Sequence, residues 1–223
     1  PDEVTMAEMK EKKKREDERR RMLQTLKGLP TETKSGKKVH LYANIGGVED
    51  VESVLTNDGE GVGLFRSEFL YLEKDHWPTE EEQFQAYKMA AETLAGKPVI
   101  IRTLDIGGDK AIPYLGLETE ENPFLGYRAV RFCLDRKEDI YKPQLRALLR
   151  ASAFGKIRIM VPLVTCVEEI REVKAMVAEL KADLDYDNGL IKLSLLASIP
   201  FNPAVPLPLI IFIKTVSALS FAV

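Results

Sequence analysis

Residues 61–66 read GVGLFR, and residues 98–102 read PVIIR. Each run is short, apolar and strand-like, and each ends in an arginine, Arg66 or Arg102, where a loop begins. The carboxyl ends of parallel strands meet at one edge of a sheet, which is where α/β proteins bind ligands. Two guanidinium groups at that edge suit a small anion, because each donates paired hydrogen bonds to phosphate or carboxylate. Position alone leaves open the alternative that both arginines form surface ion pairs.

Strand-like and helix-like segments alternate four times around these two runs. The predicted strands cover residues 38–43, 60–65, 98–103 and 156–161. The predicted helices cover residues 48–56, 79–95, 137–151 and 167–184. This alternation predicts an α/β fold with a parallel sheet and right-handed crossovers. A doubly wound sheet and half of a (β/α)8 barrel both fit it, and periodicity does not choose between them.

A densely charged helix is predicted ahead of the first strand. Residues 5–8 read TMAE and have the form of a capping box, after which helical character continues to about Leu26. Residues 11–21 contain no apolar side chain, so the helix has no face to bury there and is expected to bridge domains. A membrane-binding helix is the alternative, although acidic residues are interleaved with the basic ones.

Composition changes beyond residue 190. Residues 190–223 contain four closely spaced prolines and only two charged side chains, Lys192 and Lys214. Proline denies the backbone the hydrogen bonds of helices and of central strands. The apolar run over residues 207–221 is shorter than the roughly 20 residues of a membrane span. We therefore expect no membrane association.

Net charge and cysteine content exclude several classes of protein. The formal net charge of −3 gives no electrostatic basis for binding nucleic acid. Cys133 and Cys166 are the only cysteines, and their spacing fits neither a metal site nor a disulfide framework. Cys133 lies among apolar residues and is expected to be buried and inert. These features predict a cytoplasmic protein.

Two further segments contain candidate binding residues. Residues 105–110 read DIGGDK, in which the glycine pair allows close approach of a ligand. Asp105 and Asp109 are candidate magnesium ligands there, and solvated turn residues are the alternative. Residues 122–131 read NPFLGYRAVR, and Arg128 is the better candidate for a third cation because it lies nearer the loop than Arg131.

Residues 60–70, EGVGLFRSEFL, resemble the GLYRTEFL signature of enzyme I of the bacterial sugar phosphotransferase system, the phosphoenolpyruvate-protein phosphotransferase family. The likeness runs from about Val39 to Leu180. It continues, in the order and spacing of that family, through residues 78–84, 102–110, 122–131 and 144–156. Pyruvate phosphate dikinase and phosphoenolpyruvate (PEP) synthase are the weaker resemblance. Their signature reads RTEH, with histidine at the position that Phe69 occupies in this chain.

The resemblance implies a C-terminal (β/α)8 barrel that binds PEP, requires magnesium and forms a homodimer. In the family, the phosphoryl group passes to a histidine on a separate N-terminal domain and then to the histidine-containing phosphocarrier protein, which starts sugar uptake. The resemblance also implies that Arg66 and Arg102 bind the substrate phosphate and that Arg128 is a nearby third cation.

The predicted fold is therefore a partial TIM barrel of about four βα units. The predicted domains are a linker helix (1–30), the partial barrel (31–189) and a divergent, proline-rich apolar tail (190–223).

The sequence also departs from the family pattern. Ser198 precedes Ile199-Pro200, where the family has a magnesium-binding glutamate, and the later GTND motif is absent. We therefore expect no complete metal site, no retained catalytic residue and no activity of this chain alone. The likeness is expected to end near Leu190, which we interpret as translation in a wrong frame or a hybrid sequence. The alternative function is a non-catalytic module that binds anions or self-associates.

Overall fold

The computed structural model describes residues 2–72, 74–107, 114, 120–123 and 125–184, together with the backbone of Leu195–Ala197. Its described strands form one parallel sheet, in which strands adjacent in space are also consecutive along the chain. The five strands are β1 (Ala43–Ile45), β2 (Val62–Arg66), β3 (Pro98–Arg102), β4 (Lys156–Val161) and β5 (Leu195–Ala197). The strand order does not reverse anywhere in this part of the chain.

Helices precede the sheet and connect its strands. Those in the described ranges are α1 (Glu3–Gln24), α2 (Val51–Thr56), α3 (Phe69–Leu72), α4 (Glu80–Thr93), α5 (Ala129–Asp135), α6 (Lys142–Ala151) and α7 (Val167–Asp183). A π-helical turn over Lys137–Tyr141 leads directly into α6. Each parallel pair of strands from β1 to β4 is thus joined by at least one helix, as parallel pairing requires.

The two faces of the sheet are packed differently. Phe65, Ile101 and Ile159 are fully buried on one face and belong to a large core shared with the helices from α2 to α7. The opposite face carries a separate small cluster, formed by Leu64, Ile100 and Met160, which contains no helical residue. Successive side chains of a strand point to opposite faces, so these two clusters show that the described helices cover one face of the sheet.

Several predicted elements are confirmed. The fourth strand begins and ends where predicted, and α7 ends one residue earlier than expected. Helix α4 begins with a capping box: Thr79 Oγ1 accepts a hydrogen bond from the Glu82 amide at 3.2 Å, and Glu82 Oε2 accepts one from the Thr79 amide at 2.7 Å. It is followed by Gly96, whose φ of +83° suits the end of a helix.

The described residues contain the four predicted βα units, and a fifth strand, β5, that was not predicted pairs with β4. The prolines of the tail begin at Pro200, after β5, so the amides of Leu195–Ala197 remain available for pairing. The first strand is displaced toward Ala43. The segment before it is not a regular strand, although the Glu60 amide donates a hydrogen bond to the Leu41 carbonyl oxygen at 2.9 Å.

The beginning of the first helix is also corrected. Asp2, not Thr5, is the N-cap residue, and its carboxylate accepts a hydrogen bond from the Thr5 amide at 2.7 Å. An aspartate three residues upstream provides a good cap and extends the helix by one turn. Within the described ranges, no helix has the length and apolar character needed to span a bilayer. The apolar run over residues 207–221 lies outside those ranges.

Candidate functional site

Arg66 and Arg102 lie side by side at the carboxyl ends of neighbouring parallel strands. They are Cα partners in the register of β2 and β3. The strands approach closely because residue 61 is glycine: a Cβ there would lie 2.5 Å from the Pro98 carbonyl oxygen. Both arginines occupy the sheet face that carries Leu64 and Ile100, away from the helices. The predicted placement of these two residues is therefore confirmed.

Arg102 is held by two carboxylates. One terminal guanidinium nitrogen contacts Glu68 Oε1, and the other lies 2.9 Å from Asp105 Oδ2. Both acids are buried, with Glu68 3% and Asp105 8% exposed. Because a buried charge is stable only when it is paired and hydrogen-bonded, these contacts fix the orientation of the guanidinium group.

Arg128 belongs to the same cluster. It precedes α5 and is 3% exposed, and its Nη2 and Nε atoms lie 2.9 Å and 3.2 Å from Asp105 Oδ1. Asp105 therefore uses one oxygen for Arg128 and the other for Arg102. The structure brings all three predicted arginines to one end of the sheet, and Asp105 links Arg128 to Arg102.

Arg66 differs from its neighbour because it forms no ion pair with any residue in the described ranges. Its guanidinium carbon lies 4.6 Å from the centre of the Phe69 ring, which is a cation–π contact. The Nε atoms of Arg66 and Arg102 are both buried and have no hydrogen-bond partner among the described residues. Two buried donors on paired residues are thus available to an acceptor.

The charges of the cluster favour an anion. Among the described residues, three guanidinium groups lie beside two carboxylates, and these five side chains together carry one net positive charge. Arginine stays charged in proteins, and fixed cations in a partly buried site bind phosphate and carboxylate groups strongly. The alternative of two arginines in surface ion pairs does not fit, because Arg102 pairs with buried acids and Arg66 with none that the structure describes.

Two site residues were missed or misassigned from the sequence. Glu68 received no role, although its place two residues after Arg66 put it beside the same strand end. Asp105 was considered as a magnesium ligand, and the structure shows it between two arginines instead. Its possible metal partner Asp109 lies outside the described residues. The signal for both acids was their closeness in sequence to an arginine that ends a strand.

Arg131 lies apart from the cluster. Its Nε and Nη2 atoms donate to the Gly126 carbonyl oxygen at 2.9 Å and 2.7 Å, so it supports the loop that precedes α5. Arg146 and Arg150 lie on α6 and pair with Glu80 at the start of α4. These three arginines therefore have structural contacts of their own.

Among the described residues, His40, His76 and Cys133 form no hydrogen bond or ion pair with the arginines and acids of the cluster. His40 is exposed and precedes β1, where its Nδ1 lies 2.6 Å from Glu60 Oε2 and lowers the pKa of that carboxyl. His76 lies in the loop before α4 and contacts Asp75 and Glu82. Cys133 is buried as predicted, and burial raises the pKa of its thiol, which keeps it protonated.

Comparison with known proteins identifies the family. The family described as PEP-utilising enzyme, PEP-binding domain, matches residues 20–221. That match continues past Leu190, so the expectation that the likeness ends there is wrong. A phosphoenolpyruvate-protein phosphotransferase of Staphylococcus carnosus (strain TM300) is 48% identical over 208 residues, which are 92% of this chain and 36% of the relative. One of Bacillus subtilis (strain 168) is 56% identical over 155 residues, 70% of this chain and 27% of that protein.

These relatives are transferases by name, and the chain spans about a third of their length. The family match covers most of the chain, and it includes the three arginines and the two carboxylates described above. The chain therefore belongs to the family of PEP-utilising enzymes and contains sequence of their PEP-binding domain.

Proposed function

We propose that Arg66, Arg102 and Arg128 bind the phosphate group of PEP. The observation that carries this proposal is the register pairing of Arg66 with Arg102, each with a buried Nε donor that has no partner among the described residues. The name of the family gives PEP as the ligand of this domain, and its phosphate supplies several strong acceptors. The rigid strand ends hold the donors before the ligand arrives, which reduces the ordering cost of binding.

The chain acts, in this proposal, as the PEP-binding portion of a cytoplasmic protein phosphotransferase. The relatives' name describes transfer from PEP to a protein, and in the intact enzyme the acceptor would be a histidine that passes the group to the histidine-containing phosphocarrier protein. Fixed cations suit this chemistry, because phosphoryl transfer depends on positioning and charge stabilisation. We expect this chain to bind PEP without releasing pyruvate. We also expect the intact enzyme to form a homodimer.

The proposed architecture is part of a (β/α)8 barrel. Two observations support it over a doubly wound sheet: the described strands follow chain order without reversal, and the described helices cover one face. A doubly wound sheet has helices on both faces and a reversal of strand order where the ligand binds. In a barrel the uncovered face, with Leu64, Ile100 and Met160, would become the interior. The charged helix α1 would then be the linker to a preceding domain.

We propose that magnesium is bound by the intact enzyme but not by this chain alone. Within the described ranges no three acidic, histidine or cysteine side chains are grouped as metal ligands. Glu68 and Asp105, the two carboxylates beside the arginines, are engaged by guanidinium groups. The described residues therefore do not fit a magnesium site, and we expect PEP binding by this chain to be independent of the ion.

Isothermal titration with PEP tests the proposal. Each hydrogen bond to a charged group contributes about 1.5–3 kcal/mol, so Arg66→Ala and Arg102→Ala should each weaken binding about 10- to 100-fold. Arg158→Ala is the matched control. Arg158 is paired with Ile100 in register and so lies on the same face as Arg102, but about 7 Å nearer the amino end of the sheet.

The control should bind PEP as the wild-type chain does. A wild-type chain that gives no PEP-dependent heat, or equal losses in all three variants, would overturn the assignment. Titrations with and without magnesium should agree within twofold. A strong dependence on the ion would show that ligands outside the described residues complete a metal site.

A further inference from the structure

A fully buried glutamine connects the two loops that carry the site residues. Gln144 lies in the first turn of α6 and is 0% exposed. Its side-chain oxygen accepts a hydrogen bond from the Leu104 amide at 2.9 Å. Its side-chain nitrogen donates to Ser67 Oγ and to the Tyr87 hydroxyl, each at 3.2 Å. All the polar atoms of this side chain are therefore engaged.

The orientation of the Gln144 amide follows from its partners. A backbone N–H can only donate, so the side-chain oxygen must face Leu104 and the nitrogen must face the two hydroxyl groups. Burial raises the pKa of Tyr87, so its hydroxyl stays protonated and donates to Gln83 Oε1 at 3.2 Å. The Tyr87 oxygen is then free to accept from Gln144. Every donor in this hydrogen-bond network therefore faces an acceptor, and a fully satisfied buried network holds its side chains rigidly.

The two loops that Gln144 joins are those that follow β2 and β3. Ser67 stands between Arg66 and Glu68, and Leu104 directly precedes Asp105. A shift at Ser67 would move Arg66 and also Glu68, the acid that contacts Arg102. A shift at Leu104 would move the carboxylate shared by two arginines. One side chain from α6 thus fixes both loops from the core side.

We propose that Gln144 is a positioning residue of the anion site, which it serves by cross-linking the loops after β2 and β3 and so setting the arrangement of the arginines. This inference rests on the proposed function of those arginines, but it concerns a residue that contacts no ligand. Loss of the cross-link would leave the Leu104 amide without its acceptor inside the core. The loop would then move to find another partner, and Asp105 would move with it.

Gln83 provides a matched control. It is also a buried glutamine (1% exposed) in the same polar network, on α4. It accepts from the hydroxyls of Tyr71 and Tyr87 and donates to the Pro78 carbonyl oxygen at 3.0 Å. None of these partners lies in a loop that carries a site arginine or acid. Replacement of Gln83 therefore removes comparable buried bonds without releasing either site loop.

The experiment compares Gln144→Met with Gln83→Met in the full chain, using PEP titration and NMR. Methionine keeps the volume and removes the polar atoms. A misplacement of about 1 Å in a binding site can reduce its effectiveness about 100-fold. We expect Gln144→Met to weaken PEP binding about 10- to 100-fold and to shift the Nε–H resonances of Arg66 and Arg102. Gln83→Met should lose stability to a similar degree, yet bind within twofold of the wild type with those resonances unmoved.

The inference is overturned if Gln144→Met binds PEP as well as Gln83→Met and leaves the arginine resonances unmoved. Should the wild-type chain itself not bind PEP, the proposed function fails, and the resonances alone decide the role of Gln144. Should Gln144→Met not fold, Ser67→Ala replaces it, since this variant removes one of the three bonds. It is expected to shift the same resonances by a smaller amount, and no shift would refute the cross-link.

Discussion

Two carboxylates in this chain each bridge a pair of arginines, but they differ in burial. The side chain of Asp105 is 10% exposed and joins Arg102 to Arg128, whereas that of Glu80 is 29% exposed and joins two arginines of α6. Breaking a buried ion pair costs about 3–5 kcal/mol because the partner charge stays buried. Asp105→Asn keeps one acceptor oxygen, so we expect it to lower the free energy of unfolding by about 3 kcal/mol.

Glu80→Gln is the control for that prediction. A largely solvated ion pair contributes about 0–1 kcal/mol, so this variant should lower the free energy of unfolding by less than 1 kcal/mol. Urea unfolding of the three proteins, with equal slopes, measures both values. Equal losses from the two substitutions would show that the cluster around Asp105 is hydrated and not a rigid site.

His76 gives the protein a pH-dependent contribution to stability. Hydrogen bonds to Asp75 and then to Glu82 raise the pKa of His76 above its ordinary value of 6.5. A raised pKa means that the folded state binds the proton more tightly than the unfolded state. The contribution is therefore complete below about pH 6.5 and is lost as the pH rises through the folded-state pKa.

We expect the wild-type chain to lose more stability than His76→Gln when the pH is raised from about 6 to about 8.5. Urea midpoints at the two pH values measure the difference, and added salt should reduce it because His76 is exposed. Asp75→Asn should show an intermediate dependence, since it removes the first of the two acceptors. Parallel pH profiles for wild type and His76→Gln would contradict this account.

At the scale of elements, helix α4 depends on the capping box at its start. Thr79 and Glu82 satisfy each other's backbone amides, and the contacts of Glu82 with Lys74 and with the Thr79 amide lower the pKa of this glutamate to about 2. Thr79→Ala removes one acceptor, which typically costs about 1 kcal/mol. We expect that loss in the urea-derived free energy of unfolding.

Thr93→Ala is the control for the capping prediction, because Thr93 is an exposed residue at the other end of α4. Alanine is the better helix former, so this variant should be as stable as the wild type or slightly more stable. A loss as large as that of Thr79→Ala would mean that helix propensity, and not the cap, limits α4.

Elements with strong local signals were predicted correctly from the sequence. Helix α4 has a capping box and a glycine stop, and β4 alternates apolar and charged residues between a glycine and a proline. Helix α5 was missed because its signals are tertiary. Arg128 occupies its N-cap position, where the side chain binds Asp105 and forms no cap hydrogen bond. The helix is held by burial of Val130, Phe132 and Cys133 in the core.

The candidate site was predicted only in part for a similar reason. Arg66 and Arg102 each follow an apolar run, so strand periodicity and parallel pairing suffice to place them together. The two acids that contact Arg102 lie in the loops after β2 and β3, and their positions depend on the tertiary conformation of those loops. Glu68 contacts Arg102 through a turn, Gln144 contacts Leu104 through helix packing, and neither contact is encoded by a local pattern.

At the scale of the whole molecule, α1 stands apart from the core. It has 22 residues and none is buried. Hydrogen bonds near its carboxyl end, from Gln24 to Asn57 at 3.3 Å and from the Gly28 amide to Asp58 at 2.8 Å, join this region to the α2–β2 loop. Ion pairs such as Glu11–Arg15, at 3.9 Å, contribute only about 0.2–0.5 kcal/mol each.

Because most helical stability in proteins comes from tertiary packing, we expect α1 to open locally without unfolding the sheet. Hydrogen exchange measured by mass spectrometry should show amides of Glu3–Gln24 exchanging far faster than those of β3 and α6, whose residues lie in the core. Helix α7 is the internal control, since it is also long and rich in charged side chains but buries Val173, Met176 and Leu180. Protection of α1 equal to that of α7, increasing with protein concentration, would instead show that a second copy of the chain covers it.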